Sequence, residues 1–130
     1  MMVVYTFDYD SSYAGPALPV VELTVRHLLT DEYVSCKAIV DSGADATMIP
    51  LNDLHKIGAR KVDARWMSGV SGLSYKVDIY EVIIQIGAYT IPKVYAVADR
   101  QNQPMILGRD VLNHLVTTLN GLANVVEISQ

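Results

Sequence analysis

One short stretch of the chain, residues 38–47, constrains the possible fold more than any other. An apolar run over residues 38–40 ends abruptly at Asp-Ser-Gly in positions 41–43, and apolar residues resume at positions 48–50. This pattern predicts a carboxylate at the end of a buried strand, in a turn that glycine permits. Aspartate, serine and glycine are also common in surface turns, so the tripeptide alone leaves an ordinary turn open.

A second stretch, residues 105–112, reads Met-Ile-Leu-Gly-Arg-Asp-Val-Leu. Its three apolar residues predict a short buried strand, and residues 109–115 predict a short helix. Asp110 lies near the start of this helix, where a negative charge suits the helix dipole. The sequence therefore predicts a second apolar strand that is followed directly by glycine and charged residues.

Strand-like segments account for most of the remaining chain. Alternating or β-branched residues separated by turn residues predict strands over residues 3–9, 18–29, 33–40, 61–66, 75–86, 89–98, 105–107 and 125–128. Residues 67–74 contain two glycines and no charge, which predicts a protruding hairpin tip. Pro92 predicts an edge position or a bulge. With a further short helix over residues 51–58, the pattern predicts a mainly β, barrel-like fold.

Composition argues against several classes of function. The 130 residues carry a net charge of −4 without a basic run, so a nucleic-acid partner is not expected. No apolar run approaches the roughly 18 residues of a membrane span, and no signal peptide is recognisable. Cys36 is the single cysteine, which excludes an intrachain disulfide and fits a reducing, cytoplasmic compartment. The histidines lack metal-ligand spacing, so neither a metal nor a cofactor is expected.

Three motifs, in this order, resemble those of the retropepsins, the retroviral-type aspartic proteases, and their single-domain cellular and bacterial relatives. They are residues 39–44 (Ile-Val-Asp-Ser-Gly-Ala), 67–72 (Met-Ser-Gly-Val-Ser-Gly) and 106–109 (Ile-Leu-Gly-Arg). The resemblance covers residues 18–130 as one protease domain and leaves residues 1–17 as an N-terminal extension or strand. It implies a closed β-barrel of the acid-protease half-fold type that is active as a two-fold dimer.

The resemblance also implies roles for individual residues. Asp41 matches the catalytic carboxylate, and Ser42 matches a residue whose hydroxyl bonds across the two-fold axis. Asp45 matches a residue that binds the peptide backbone and pairs with Arg109 in a largely buried place. Support of the active site is thus expected from Ser42, Gly43, Ala44, Asp45 and Arg109. The flap and the substrate-binding wall are expected to include Met67, Gly69, Val70, Ser71, Gly72 and Ile106, and the apolar residues of the flap are expected to be exposed.

The chemistry itself requires a second copy of the chain. Peptide hydrolysis of this type needs two carboxylates around one water, one ionised and one protonated. The chain contains a single Asp-Ser-Gly, so two copies must meet at a two-fold axis to form the pair. We expect the C-terminal strand, residues 124–129, to join its two-fold mate in an interfacial sheet.

The expected substrate is a peptide or protein. The alternative from another class is a non-catalytic peptide-binding or dimerisation module with the same fold. A metal-dependent hydrolase lacks a ligand cluster in the sequence.

Overall fold

The computed structural model describes residues 2–130, and it is mainly β, with 54% of its residues in strands. Within these residues no helix is long and apolar enough to cross a membrane. In chain order the elements are β1 (Tyr5–Asp8), β2 (Val20–Arg26), β3 (Tyr33–Val40), β4 (Met48–Pro50), α1 (Leu51–Lys56), β5 (Arg60–Ser68), β6 (Ser74–Ile86), β7 (Tyr89–Asp99), β8 (Met105–Leu107), α2 (Arg109–Leu112), β9 (Val116–Asn120) and β10 (Val125–Ser129).

The strands form two sheets. The larger one has seven strands in the order β2-β3-β8-β4-β7-β6-β5, and a further pairing of β2 with β6 closes six of them into a barrel. The last strand, β5, pairs only with β6 and continues with it into a long hairpin. The smaller sheet has the order β1-β10-β9 and packs on the barrel. The expected closed β-barrel with short helices is therefore confirmed.

A single main core fills the barrel and extends beneath the smaller sheet. Its fully buried members include residues from all six barrel strands, because alternate residues of a barrel strand point inward. Val126 and Ile128 of β10 belong to the same cluster, which attaches the smaller sheet to the barrel. Ile49 of β4 and Val111 of α2 are also fully buried, so the segments beside the predicted site are fixed by the core.

Most predicted elements are present, with differences that have physical reasons. β3 and β8 have the predicted bounds, whereas the helix predicted over residues 109–115 ends at Leu112. β4 and β9 were not predicted as strands, because β4 is three residues long and ends in proline. Pro92 lies where the register of β6 and β7 shifts, between the pairs Val82–Val94 and Ile84–Ile91, which confirms the predicted bulge.

The C-terminal strand is the central strand of the smaller sheet. β10 pairs with β1 along one edge and with β9 along the other, both antiparallel, over nearly its whole length. A strand with both edges occupied has no free backbone groups to offer to another chain. A sheet shared with a two-fold mate would therefore have to extend from β1 or β9, and the predicted place of residues 124–129 in such a sheet stays a prediction.

Candidate active site

Two neighbouring parallel strands bring the predicted site together. β3 and β8 run side by side with Val40 opposite Leu107, so both strands end at the same edge of the sheet. Asp41 follows β3 directly, and its backbone N–H donates to the carbonyl oxygen of Leu107 at 3.0 Å. Gly108 follows β8 at the same level. Segments that are far apart in the sequence thus form one site, as the two motifs predicted.

The Asp41 carboxylate is half-buried and held by its own turn. The backbone N–H of Gly43 donates to Asp41 Oδ1 at 2.9 Å, and the N–H of Ala44 donates to the Asp41 carbonyl oxygen at 3.2 Å. A Cβ atom on residue 43 would lie 3.2 Å from Asp41 Oδ1, so glycine keeps this approach open. Within residues 2–130, Asp41 Oδ2 accepts no hydrogen bond, which leaves one carboxylate oxygen available for a ligand or for a second chain.

Arg109 ties the start of the α2 segment to the active-site loop. Its Nη2 forms an ion pair with Asp45 Oδ1, and its Nη1 donates to the carbonyl oxygen of Ser42 at 2.8 Å. The predicted pairing of Asp45 with Arg109 is therefore present. The predicted burial is wrong for a single chain, because the side chains are 84% and 42% exposed. The loop lies on a surface that one chain alone leaves uncovered.

The sequence analysis missed the polar anchor beneath the loop, which Thr47 and Asp110 form. Thr47 is fully buried, and its hydroxyl donates to Asp110 Oδ1 at 2.7 Å. Its backbone N–H lies 3.0 Å from Asp110 Oδ2, and its Oγ1 accepts from the N–H of Gly108 at 3.1 Å. From sequence, Asp110 is expected only to interact with the helix dipole. A buried threonine hydroxyl with two partners fixes the loop to α2 more firmly than an exposed ion pair can.

Gly108 permits the close packing of the two segments. A Cβ atom at this position would lie 2.7 Å from the carbonyl carbon of Ala46 and 3.0 Å from the carbonyl oxygen of Ala44. These are backbone atoms, which cannot move aside as a flexible side chain could. The next residue, Arg109, donates its N–H to the Ala44 oxygen at 2.9 Å. Glycine is therefore required sterically where α2 packs beneath the loop.

The expected flap is a hairpin of β5 and β6 with its tip at residues 69–73. Two backbone hydrogen bonds close the tip. The N–H of Gly69 donates to the carbonyl oxygen of Leu73 at 3.1 Å, and the N–H of Gly72 donates to the carbonyl oxygen of Gly69 at 2.9 Å. Gly72 has φ +79°, a conformation that favours glycine. Val70 and Leu73 are strongly exposed, as expected.

The base of the flap is packed, in contrast to its tip. Met67 was expected to be exposed, but it is half-buried and packs against a small cluster formed by Val77, Ile79 and Val97. Two residues from the active-site segment, Ala46 and Met48, pack against the same cluster. This apolar contact connects the base of the flap to the segment that carries Asp41.

An ionic contact adds to this connection. Asp78 of β6 lies 3.1 Å from Lys61 Nζ in β5 and 3.0 Å from Arg100 Nη2 after β7. Hydrogen bonds from Arg100 and then from Lys61 lower the pKa of Asp78 below its ordinary value. The carboxylate is thus kept ionised where three chain segments meet.

The remaining predicted site residues occupy two places. Ile106 of β8 is half-buried opposite Ile39 and Met48, next to the catalytic loop. The flap residues Gly69, Val70, Ser71 and Gly72 form the separate hairpin tip. In the described chain the backbone hydrogen bonds of the tip stay within the tip, so the structure joins loop and flap only through the base of the flap.

Other reactive groups do not form a competing site. Burial raises the pKa of the Cys36 thiol to about 11, with the neighbouring Asp53 adding to the effect. A thiol with so high a pKa is protonated near neutral pH and is a poor nucleophile. Residues 2–130 contain no cluster of three or more histidine, cysteine, aspartate or glutamate side chains that could hold a metal ion.

Comparisons with known proteins agree with this geometry. The family described as gag-polyprotein putative aspartyl protease matches residues 31–114, which include the Asp41 loop, the flap and the Gly-Arg motif. No sequence of a curated protein matches the chain.

Two solved structures show the same fold. A retropepsin-like aspartic protease from Rickettsia conorii aligns with a TM-score of 0.67 at 14% identity, over 99% of this chain and 94% of that one. The EIAV protease, in complex with the inhibitor HBY-793, aligns with a TM-score of 0.61 at 21% identity, over 78% of this chain and 91% of that one. Since the family match spans more than half of its residues, this chain belongs to the gag-polyprotein aspartyl proteases and has the retropepsin-like fold.

Proposed function

We propose that the protein is a homodimeric aspartic endopeptidase in which two Asp41 carboxylates, one from each copy, activate a water molecule against a peptide bond. The observation that carries this proposal is the geometry of Asp41. One carboxylate oxygen is oriented by the N–H of Gly43 at 2.9 Å, and the other is free of hydrogen bonds within the described chain. The loop around it is anchored by the buried hydroxyl of Thr47.

The proposed mechanism uses the two carboxylates in different protonation states. Two like charges a few ångströms apart do not both ionise easily, so the pair shares one proton. The ionised Asp41 takes a proton from the water molecule as the oxygen of that water attacks the carbonyl carbon of the peptide bond. The protonated Asp41 donates to the carbonyl oxygen, and a tetrahedral diol forms. One Asp41 then gives its proton to the amide nitrogen while the other takes a proton from a hydroxyl of the diol, so that the C–N bond breaks, a carboxylic acid and an amine form, and the pair again shares one proton.

The neighbouring residues supply positioning in this proposal. Ser42 is exposed at the end of the loop, where its hydroxyl is available to bond across a two-fold axis. Asp45 is 84% exposed despite its ion pair, so its carboxylate can also accept from the backbone of a bound peptide. The exposed apolar tip of the flap would cover a peptide and exclude water from the reacting bond.

The activity is tested with purified protein and a peptide library from about pH 3 to about pH 8. The wild-type protein is expected to cleave peptides, and a transition-state inhibitor with a central hydroxyl group is expected to block cleavage. Asp41→Asn is expected to remain folded and to lose cleavage. Asp31→Asn serves as the matched control, because Asp31 is exposed in the distant β2–β3 loop.

Full activity of a clean Asp41→Asn preparation would overturn the assignment. Peptide binding without cleavage by the wild-type protein would instead support a non-catalytic peptide-binding module.

The pH profile of cleavage gives a second test. A shared proton implies a bell-shaped dependence of kcat/KM on pH, which we expect to centre roughly between pH 4.5 and 6. Ala44 has no hydroxyl to donate to the ionised pair, and a hydroxyl there would stabilise the charged form. Ala44→Ser is therefore expected to move the acid limb to lower pH. An unchanged profile would show that residue 44 has no influence on the carboxylates.

A further inference from the structure

We propose that a cavity at the base of the flap binds an acidic side chain of the peptide substrate, and that Arg100 and Lys76 are the specificity-determining residues that select it. The inference rests on the proposed function, because it concerns the peptide that the two Asp41 carboxylates would cleave. The charge preference can also be measured by binding alone, so the two proposals can fail separately.

The flap-base cavity opens where β6 and β7 separate. Their pairing ends at Ile79 opposite Val97. From there β7 continues beside β4, with Pro50 opposite Asp99, whereas β6 continues beside β5 into the flap. The two strands leave between them a cavity of about 300 Å³, whose lining includes Met48, Tyr75, Lys76, Val77, Val97 and Arg100.

This cavity lies between the flap and the segment that follows Asp41. Met48 comes directly after the anchored Thr47 and lies opposite Ile106 of β8. Met48 also packs against the small apolar cluster that contains Val77 of the flap strand β6. A peptide held between the Asp41 loop and the tip of the flap would pass the cavity. Every second side chain of an extended peptide points to the same side, so one of them can enter it.

The floor of the flap-base cavity is apolar and its rim is basic. Val97 and Val77 are 2% and 7% exposed, and Met48 is half-buried. At the rim, the side chain of Arg100 is 68% exposed and Lys76 is also exposed. A long acidic side chain matches this arrangement, because its methylene groups can cover the apolar floor while its carboxylate stays at the rim. Glutamate therefore fits better than aspartate, which is one methylene group shorter.

The acidic residue that lines the cavity, Asp99, is engaged by its own loop. Asp99 Oδ1 accepts from the backbone N–H of Gln101, and Asp99 Oδ2 accepts from the backbone N–H of Gln103, both at 2.9 Å. These two hydrogen bonds hold the loop after β7 in shape. They thereby fix the backbone position of Arg100 at the rim.

The two cations at the rim retain capacity for another carboxylate. Asp78 is shared between two cations, since it lies 3.1 Å from Lys61 Nζ and 3.0 Å from Arg100 Nη2. An arginine side chain has five N–H donors, and within residues 2–130 only Nη2 of Arg100 has a hydrogen-bond partner. Lys76 forms no ion pair with any residue of the described chain.

The charge of the whole flap region supports the same preference. Residues 60–100 contain six of the ten basic residues of the chain and four of its fourteen acidic residues. The flap and its base therefore carry an excess of positive charge in a protein whose net charge is −4. Complementary charge favours the approach of an acidic peptide and disfavours that of a basic one.

The first test compares peptides that differ at one position. Pools of extended peptides, with one position at a time fixed as glutamate, glutamine, aspartate or lysine, are incubated with the wild-type protein. At the position that reaches the cavity, kcat/KM for glutamate is expected to be at least about threefold higher than for glutamine. Aspartate should lie between the two, and lysine should be lowest. Equal kcat/KM for glutamate and glutamine at every position would overturn the inference.

The second test removes the cations one at a time. Arg100→Gln and Lys76→Gln are each expected to lower the ratio of kcat/KM for glutamate to that for glutamine, mainly through KM, and the double variant should abolish the preference. Asp78→Asn is the matched control for Arg100→Gln, because it breaks the same ion pair but keeps the guanidinium group, so the ratio should not fall. Lys56→Gln, at an exposed residue of α1, controls for the change in net charge.

The control also excludes a merely structural role of the ion pair. If Asp78→Asn lost the glutamate preference as fully as Arg100→Gln, the ion pair would only maintain the base of the flap. The assignment of Arg100 as a specificity-determining residue would then be overturned.

Binding measurements separate this inference from the proposed function. Fluorescence anisotropy of the labelled peptide pools gives their affinity for the wild-type protein and for Asp41→Asn. Tighter binding of the glutamate pool that Arg100→Gln removes, without cleavage by the wild-type protein, would support the inference and contradict the proposed function. Cleavage without a charge preference would overturn the inference and leave the protease assignment intact. A protein that neither binds nor cleaves any pool would overturn both.

Discussion

The active-site loop and the tip of the flap are both short segments with glycine, but they are held in opposite ways. Residues 41–47 are fixed to α2 by the buried hydroxyl of Thr47, by a backbone hydrogen bond from Arg109 to Ala44 and by the side chain of Arg109. In residues 69–73, the backbone hydrogen bonds join residues of the tip to one another, and the side chains of Val70 and Leu73 are exposed. Contacts within one chain therefore fix the Asp41 loop, whereas the tip of the hairpin is held by its own backbone alone within the described residues.

This difference indicates which parts of the site depend on a ligand or a second copy. A loop held within one chain should lose stability when an anchor is removed. The tip should affect binding and turnover, with little effect on the unfolding of the free protein, because its contacts form only around a substrate.

The largest effect on stability is expected from Gly108→Ala. The added Cβ would lie 2.7 Å from the carbonyl carbon of Ala46, so the backbone of the loop or of α2 must shift. Overpacking of this kind costs about 1 to 3 kcal/mol. Urea unfolding should show this loss, and peptide cleavage should fall strongly. Gly121→Ala is the control, since a Cβ there meets nothing within 4 Å. Equal stability of the two variants would contradict the steric role of Gly108.

A somewhat smaller loss of stability is expected from Thr47→Val. This change keeps the shape of the side chain but removes the hydroxyl between Asp110 and Gly108. The half-buried Asp110 carboxylate and the buried N–H of Gly108 each lose a partner, and such losses cost about 1 to 3 kcal/mol in unfolding free energy. Thr90→Val removes an exposed hydroxyl and should leave the free energy of unfolding unchanged. If the two variants unfold alike, the threonine does not anchor the loop.

The flap base should show a pH-dependent effect through Asp78. Because the pKa of Asp78 is lowered in the folded state, its ion pairs stabilise the protein at pH values above its ordinary pKa of 3.8. This contribution is lost as the pH falls through the lowered pKa. The Tm of Asp78→Asn should therefore lie below that of the wild type near neutral pH and approach it in strong acid. A Tm difference independent of pH would exclude an ionic contribution.

The smallest effect on stability is expected from Val70→Ser at the tip of the flap. Val70 is fully exposed, so the unfolding free energy should stay within about 0.5 kcal/mol of the wild-type value. KM for peptide substrates should nevertheless rise, because the tip loses apolar contact with the bound peptide. Leu29→Ser, at an exposed apolar residue away from the flap, should change neither quantity. Unchanged kinetics would show that the tip does not touch substrate.

The parts of this picture that local sequence defines were predictable. An apolar run that ends in Asp-Ser-Gly and a second that ends in Gly-Arg located the strand ends, and both are present in β3 and β8. Glycines in an uncharged stretch located the tip of the flap. These features depend on residues close together in the chain, so they are readable without the fold.

The parts that depend on distant contacts were not predictable. Thr47 and Asp110 meet across 63 residues, and nothing near either residue indicates its partner. β9 contains three β-branched residues, which favour a strand, but the strand is defined by its pairing with β10. The prediction that Asp45 and Arg109 are buried was wrong for a single chain, because burial at this surface depends on what covers it.

The most direct test of a shared catalytic pair is a mixing experiment. Wild-type protein and Asp41→Asn are mixed in varied proportions, allowed to exchange subunits, and assayed at constant total protein. If each active site needs an Asp41 from both copies, activity falls with the square of the wild-type fraction, and an equal mixture retains about one quarter of full activity. A linear decrease, with about half of the activity in the equal mixture, would mean that one Asp41 suffices and would contradict the account.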